Sequence, residues 1–190
     1  VNGPQTYVPD DSFEQALINL GYDNILDNYV ATANINTVTS LYIDNQNITD
    51  LTGIEDFTAL TSLECWNNLL ISLDVSQNTA LTFLRCDSNQ LTSLDINANI
   101  ALIFLNCISN NLDTLDVSTN TALTSLSCSS NQLDTLDVSA NNALISLWCN
   151  HNHLTSLDVS QNTALTYLRC ENNHLTSLDV SQNTALTYLR

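Results

Sequence analysis

Cysteine is one of the residue types in this chain that could ligate a metal or form crosslinks, and its spacing is regular. A straight column of thiols offers no tetrahedral cage for a metal. Adjacent parallel strands lie about 4.8 Å apart, which disulfides tolerate, but pairing alternate turns would break a uniform stack. We therefore expect a buried ladder of free thiols that pack as small apolar groups. The six members are 21 residues apart: Cys65, Cys86, Cys107, Cys128, Cys149 and Cys170.

Aspartate forms a second column with the same period. Like charges about 5 Å apart should repel and raise each other's pKa. Hydrogen bonds from the local backbone and from the serine two residues on, as in an Asx turn, would offset this repulsion. Cations bound between turns are the alternative, and we favour the Asx turn. The members are Asp74, Asp95, Asp116, Asp137, Asp158 and Asp179.

The histidines and the remaining acids give no catalytic pattern. His153 and His174 are one turn apart, but no third metal ligand is evident near them or His151. Asp23 and Asp27 lack the spacing of a calcium-binding loop, which favours solvated turns. Serine, histidine and aspartate are present without a nucleophile motif such as G-x-S-x-G. We expect no enzymatic activity, no cofactor and no metal site.

Aromatic and arginine side chains are concentrated at positions that alternate with buried leucine and cysteine. All three arginines fall in one column, and seven of the twelve aromatic residues lie on the same face. Such residues anchor interfaces. The alternative is that aromatics simply suit strands and that Tyr188 duplicates Tyr167. The candidate ligand-binding residues are Tyr42, Glu64, Trp66, Phe83, Arg85, Phe104, Asn106, Trp148, Asn150, Tyr167, Arg169, Glu171, Tyr188 and Arg190.

The elements that position these residues follow from the 21-residue period, which predicts a solenoid of stacked turns. Within LTYLRC, Leu168 and Cys170 alternate with outward residues, as in a short strand. The asparagine three residues after each cysteine, such as Asn173, turns the chain and can satisfy unpaired backbone groups. So short a return segment should be extended or 3-10-like.

The N-terminal part of the chain predicts a cap. Residues 1–6 should be a disordered lead-in. Asp11 and Glu14 have capping-box spacing before an apolar helix face, and Gly21 is a suitable stop. A second short helical or turn segment should carry residues 25–30. We assign 1–37 to the cap and 38–190 to the repeats, which comprise one irregular 22-residue turn and then 21-residue turns, truncated at the C-terminus.

The composition excludes two classes of partner. The chain has no lysine, three arginines and a formal net charge of -17. Nucleic acid and anionic lipid both require cationic patches, so neither is an expected partner. The sequence contains no run of 18 or more apolar residues, so we expect no membrane insertion. The uncapped C-terminal turn is a candidate surface for end-to-end or edge association.

The segment LTYLRCENNHL fits the leucine-rich repeat signature L-x-x-L-x-[LC]-x-x-N-x-L over six copies. The first turn, with ITDLTGIEDFTALTSLEC, resembles an internalin-type repeat. The LDVSQNTALTYLRC form and the YVPDDSFEQALINLGYD cap resemble surface proteins of Bacteroidetes-type bacteria. The resemblance implies a curved right-handed solenoid, α/β by convention but mostly β, with a parallel sheet on its concave face.

The same resemblance implies a secreted or surface-attached bacterial protein that recognises a protein or glycan through the concave sheet. A rigid structural spacer with recognition elsewhere is the main alternative. An ice- or mineral-binding surface is a weaker one, because isoleucine interrupts the threonine columns.

Overall fold

The computed structural model describes residues 3–190, so Val1 and Asn2 of the predicted lead-in lie outside the described chain. The N-terminal elements are β1 (Gln5–Tyr7), α1 (Asp11–Asn19), β2 (Tyr29–Ala31) and α2 (Thr32–Ile35). A 3-10 helix covers Ile54–Asp56. The main sheet contains β3 (Ser40–Tyr42), β4 (Ser62–Glu64), β5 (Phe83–Arg85), β6 (Phe104–Asn106), β7 (Ser125–Ser127), β8 (Ser146–Trp148), β9 (Tyr167–Arg169) and β10 (Tyr188–Leu189).

The main sheet is parallel throughout and its strand order follows the sequence. Each strand pairs with the strand one turn later at equivalent positions; Leu84, for example, pairs with Leu105 and Leu105 with Leu126. The predicted solenoid with a parallel sheet is therefore confirmed. Equivalent residues of successive turns form straight columns, so the sequence can be interpreted one column at a time.

Leucine, valine and cysteine columns fill the interior. The central leucine of each of β3 to β9 is fully buried, as Leu84 and Leu147 are. All six cysteines are buried and free, which confirms the predicted thiol ladder. Burial raises the pKa of the Cys107 thiol to about 12, because the apolar interior disfavours a thiolate.

The asparagine after each strand ties two turns together. The side-chain amide of Asn89 donates to the carbonyls of Cys65 and Cys86, at 3.0 and 3.1 Å. Its Oδ1 accepts from the backbone N–H of Leu70 at 3.1 Å. The same arrangement recurs in later turns, and it satisfies the backbone groups that the bend leaves unpaired.

A second asparagine ladder, which was not predicted from the sequence, lies on the return side. Asn99 is fully buried and donates to the carbonyls of Val75 and Asn78, at 3.0 and 2.9 Å. The backbone carbonyl of Asn99 accepts from Leu102 N at 3.1 Å, an i to i+3 bond of the 3-10 type that was expected in the return segment. The ladder comprises Asn78, Asn99, Asn120, Asn141, Asn162 and Asn183.

The cap differs from the prediction at its start. Gln5 and Thr6 were expected to be disordered, but they belong to β1, which pairs antiparallel with β2. Thr6 is buried and its hydroxyl donates to Asp56, so the lead-in is held against the first turn of the solenoid.

The predicted capping box is also wrong. The N-cap of α1 is Asp10, whose Oδ1 accepts from Phe13 N at 2.9 Å. Glu14 is fully buried and accepts instead from the backbone N–H groups of residues 27–29, at 2.9 to 3.1 Å. This long-range use of the carboxylate outweighs the local capping pattern, because a fully buried carboxylate needs hydrogen-bond donors and these three N–H groups supply them.

The second predicted cap segment lies further along the chain than expected. Tyr29 and Val30 are in β2, and the short helix α2 follows them. Ile25 and Leu26 are exposed, at 57% and 49% of their surface. Pairing with β1 makes Tyr29–Ala31 a strand, because the partner strand supplies the backbone hydrogen bonds that a lone turn would leave to water.

The second asparagine ladder gives a stability prediction. Asn141 donates to the carbonyls of Val117 and Asn120, at 3.0 and 2.9 Å. Asn141→Asp should lower the free energy of unfolding by about 3–5 kcal/mol at neutral pH, since a buried carboxylate would face two carbonyl oxygens. The neighbouring Asn142 is exposed, so Asn142→Asp is the matched control. Urea unfolding checks the difference; equal midpoints for the two variants would contradict it.

The thiol ladder gives a second prediction. All six cysteines are buried with raised pKa values. An aromatic disulfide reagent should therefore leave the folded protein unmodified at mildly alkaline pH and should count six thiols after unfolding in guanidinium chloride. A count below six under denaturing, non-reducing conditions would show that disulfides had formed.

Candidate binding face on the sheet

The outward positions of the sheet form three columns, which we call the sheet face. The first and third residues of each strand point away from the core, and the residue after each inward cysteine continues the pattern. Strand pairing places Phe83 beside Phe104 and Tyr167 beside Tyr188. All fourteen predicted binding residues belong to these columns, and the structure divides most of them into two clusters.

The N-terminal cluster is built around Arg85 on β5. Its Nε lies 2.7 Å from an oxygen of Asp87, and its Nη1 lies 3.7 Å from Glu64. The guanidinium carbon lies 4.4 Å from the centre of the Trp66 ring, within cation–π range. Arg85 is therefore held in one orientation from three sides.

Two phenylalanines complete this cluster. The rings of Phe83 and Phe104 are 4.3 Å apart between centroids and parallel to within 3°. In-register pairing of β5 and β6 produces the stack, because equivalent positions lie one strand spacing apart. Each ring thus covers one face of the other.

The C-terminal cluster has a similar composition around Arg169 on β9. The guanidinium forms an ion pair with Glu171 and lies 5.3 Å from the centre of the Trp148 ring. Arg190 Nε lies 3.9 Å from the same carboxylate. Burial would raise the pKa of Glu171, but the hydrogen bond from Arg169 and the nearby positive charges keep it below its usual value.

Three aromatic rings stack in the C-terminal cluster. Tyr167 and Tyr188 are 4.2 Å apart between centroids and parallel to within 2°. The Trp148 ring lies 5.6 Å from Tyr167 at an interplanar angle of 28°. The sequence signal for both clusters was an acid two residues after an arginine, in the segments RCD and RCE, which strand alternation places on the same face.

Small polar residues separate the clusters. The outward positions of β7 and the residue after Cys128 are Ser125, Ser127 and Ser129. The amide oxygen of Asn150 accepts from the Ser129 hydroxyl at 2.6 Å, and that of Asn106 accepts from Ile108 N at 3.1 Å.

Tyr42 neighbours the N-terminal cluster without joining its ring stacks or ion pairs. It is in register with Glu64 at the first strand of the main sheet and is 55% exposed. The structure therefore does not bring together all fourteen predicted residues: Tyr42, Asn106 and Asn150 lie outside the two clusters.

The aspartate column lies on another side of the solenoid and has the predicted Asx-turn geometry. Asp116 Oδ1 accepts from Ser118 N at 2.9 Å, and the same bond recurs at Asp137 and Ser139. Hydrogen bonds from the side chain and backbone of Ser118 lower the pKa of Asp116, although the charge of Asp137 acts in the opposite direction. The predicted offset is therefore confirmed: neighbouring aspartates act to raise the pKa, and the local hydrogen bonds of the Asx turn outweigh that repulsion.

The structure gives no further support for metal ligation in the described residues. Within residues 3–190, no group of three or more histidine, cysteine, aspartate or glutamate side chains could hold a metal ion. His153 and His174 stack at 5.8 Å between ring centroids, and both are exposed. In the same part of the chain, no helix is long and apolar enough to cross a membrane.

Comparison with known proteins places the chain among solved repeat structures. No protein-family model matches it. A functional domain of internalin J from Listeria monocytogenes, described as including a cysteine ladder, is 36% identical over 98% of this chain, with a TM-score of 0.61. The chain spans about half that domain, since the match covers 52% of it. A 72-residue stretch, 38% of this chain, is 44% identical to internalin J itself but covers only 8% of that protein.

Two more distant structures show the same fold. Internalin C2 from Listeria monocytogenes aligns over 100% of this chain and 99% of its own, with a TM-score of 0.71 and 16% identity. A leucine-rich repeat protein of Leptospira interrogans aligns over 83% of this chain and 49% of its own, with a TM-score of 0.65 and 23% identity. At these identities the likeness concerns the fold alone.

The aspartate column gives a pH prediction. The folded-state pKa values of Asp116, Asp137 and Asp158 are lowered, so their ionised forms stabilise the fold above the ordinary value of 3.8. This stability is lost as the pH falls through the lowered values. A triple variant with asparagine at these positions keeps the Asx-turn acceptor but cannot titrate. Its melting temperature should fall less than that of the wild type between about pH 5 and pH 2. Melting temperatures that fall equally with pH in the wild type and the variant would contradict the stabilising role of these carboxylates.

Proposed function

We propose that the chain, a bacterial leucine-rich repeat protein with an internalin-like fold, is a non-catalytic binding module. It recognises a protein partner through the sheet face. We further propose that it belongs to a secreted or cell-surface protein and serves adhesion or recognition. The similarity to internalins supports this role.

The single observation that carries the proposal is the concentration of anchor residues in two pre-formed clusters. Tryptophan, tyrosine and arginine dominate binding energy in protein interfaces. Here they are held by ring stacking and by ion pairs such as Arg85 with Asp87. Side chains that are already ordered lose little conformational entropy on binding, which favours affinity.

The ring geometry favours a protein over a glycan. A sugar that stacks on an aromatic side chain needs an exposed ring face, and each ring of the clusters already has at least one face against another ring or a guanidinium. Tyr167 lies between Tyr188 and Trp148, and Arg85 covers one face of Trp66. The clusters offer ring edges and charged hydrogen-bonding groups, which suit peptide groups and polar side chains.

A rigid spacer is the second candidate function. The near-identity of the last two turns supports it, since LTYLR occurs at both 165–169 and 186–190. Under that alternative, Tyr188 repeats Tyr167 by duplication and the sheet face has no partner.

Selection with a random 12-residue phage-displayed peptide library distinguishes the two functions. Peptides enriched on the wild type should lose at least about 30-fold in affinity on a Trp148→Ala/Tyr167→Ala variant, since each side chain is a central anchor. Ile71 and Ile100 are each 64% exposed and lie off the sheet face. The matched control, Ile71→Ala/Ile100→Ala, should bind as the wild type does.

Melting curves confirm that both double variants are folded. Enriched peptides that bind the Trp148→Ala/Tyr167→Ala variant as tightly as the wild type would contradict the proposed function and favour the spacer.

A further inference from the structure

The first strand of the main sheet has one side without a partner strand. β3 pairs with β4, and within residues 3–190 no other strand pairs with its opposite side. The two strands of the cap, β1 and β2, pair with each other and form a separate sheet. β3 is therefore the edge strand of the sheet at this end of the described chain, and an edge strand can accept a further strand.

The unpaired backbone groups on this edge belong to Ser40 and Tyr42. In a parallel sheet, alternate residues of a strand bond to the same neighbour. The carbonyl of Thr39 accepts from β4 at 3.0 Å, and Ile43 N donates to Glu64 O at 2.9 Å, so these residues bond to β4. The N–H and C=O groups of Ser40 and Tyr42 consequently point to the open side, where the described chain supplies no hydrogen-bond partner for them.

Two side chains of the sheet face flank these backbone groups. Tyr42 is 55% exposed, and among the described residues its ring stacks on no other ring or guanidinium. The bond from Asn45 N to Trp66 O, 3.1 Å long, recurs one turn later, so the strands end in the same way. Asp44 therefore has the same outward position as Trp66, two residues after Tyr42 on the same face.

The charges on this edge favour a cation. The first basic residue of the chain is Arg85 on β5, so β3 and β4 carry none. Glu64 on β4 already lies 3.7 Å from Arg85. The Asp44 carboxylate, in contrast, accepts from the neutral side-chain amide of Asn45 at 2.8 Å and forms no ion pair within residues 3–190. It can therefore pair with a cation that comes from another molecule.

The C-terminal cluster shows how a cation packs against a ring across one strand spacing. Trp148 and Arg169 are in register on β8 and β9, and the guanidinium carbon lies 5.3 Å from the ring centre. An arginine opposite Tyr42 on an added strand would have the same relation to the Tyr42 ring. The Asp44 carboxylate would lie diagonally across from it.

We propose that β3 is a strand-addition site for an extended segment of the protein partner, with an arginine of that segment beside Tyr42. Backbone groups of Ser40 and Tyr42 provide hydrogen bonds, which supply affinity in this mode of recognition, and Tyr42 and Asp44 select the cation. A second copy of this chain is not the occupant, because two chains of net charge -17 repel each other. The proposal rests on the proposed function and deepens it, since the added strand extends the sheet face onto the partner.

Two substitutions at Ser40 isolate the edge. Ser40→Pro removes an N–H that β4 does not use, so it should fold with a melting temperature close to that of the wild type, as edge strands tolerate proline. Ser40→Ala keeps the N–H. Peptides of the 12-residue phage library that add to β3 should bind Ser40→Pro at least about tenfold more weakly than the wild type, and Ser40→Ala to within about twofold. A selection in which no enriched peptide distinguishes the two variants would overturn the proposal.

Hydrogen exchange on the wild-type protein gives a measurement that needs no substitution. The enriched peptides are added one at a time at saturation. At least one should slow the exchange of the Ser40 and Tyr42 amides by about tenfold or more, because these amides gain partners. The Ile43 amide already donates to Glu64 O, so it is the internal control and should not change. Unchanged exchange at Ser40 and Tyr42 with every peptide would contradict strand addition.

The cation is tested separately on a peptide that adds to β3. Its arginine is replaced by citrulline, which is nearly isosteric but uncharged, and in the protein Asp44→Asn removes the carboxylate. Each change should weaken binding about twofold to fivefold, the range for an exposed cation–π contact or ion pair. Peptides that add to β3 without an arginine, or that tolerate both changes, would overturn the assignment of arginine.

The failure of this inference is distinguishable from failure of the proposed function. Library peptides that require Trp148 and Tyr167 but bind Ser40→Pro as tightly as Ser40→Ala would leave the sheet face as the binding surface and remove the site at β3. Peptides that require the Ser40 N–H but are indifferent to the Trp148→Ala/Tyr167→Ala variant would retain the site at β3 and remove the proposed function.

Discussion

Two buried asparagine ladders are the constraint on which this molecule depends. A 21-residue turn bends sharply at both ends of its return path, and each bend leaves buried carbonyls without partners from the regular sheet. Asn89 and Asn99 each donate to carbonyls of the same or the preceding turn. Because an unpaired buried carbonyl is costly, these amides fix both the position of the bend and the spacing between turns. The hydrophobic columns then stack in a single register.

That register gives the sheet face its organisation. In a parallel sheet without offset, a residue is always beside its equivalents one turn away. Identical or similar residues in successive turns therefore stack, as Tyr167 and Tyr188 do. A change of residue type in one turn interrupts such a stack, and the small serines of β7 separate the two clusters. The core columns hold the fold constant, while the outward columns vary without affecting it.

Charged residues are also divided between the sheet face and the rest of the surface. The three arginines lie on the sheet face and are paired with acids two residues away in two of the three cases. The aspartate column lies elsewhere, and its charges are accommodated by local hydrogen bonds to solvated carboxylates. The face is therefore rich in balanced ion pairs within an acidic molecule, a distribution that favours partners with cationic rather than anionic surfaces.

The sequence alone determined the repeat length, the solenoid, the thiol ladder, the first asparagine ladder and the outward columns. Period and alternation suffice for these, because every turn repeats the same local pattern. The cap could not be predicted in detail: the partners of Glu14 and the pairing of Thr6 with Val30 depend on contacts between segments that share no periodicity. Likewise, the column assignment placed Phe104 and Trp148 on the face. Only the packed structure decided that Phe104 stacks on Phe83 and Trp148 on Tyr167, because ring position depends on how each side chain leans against its neighbours.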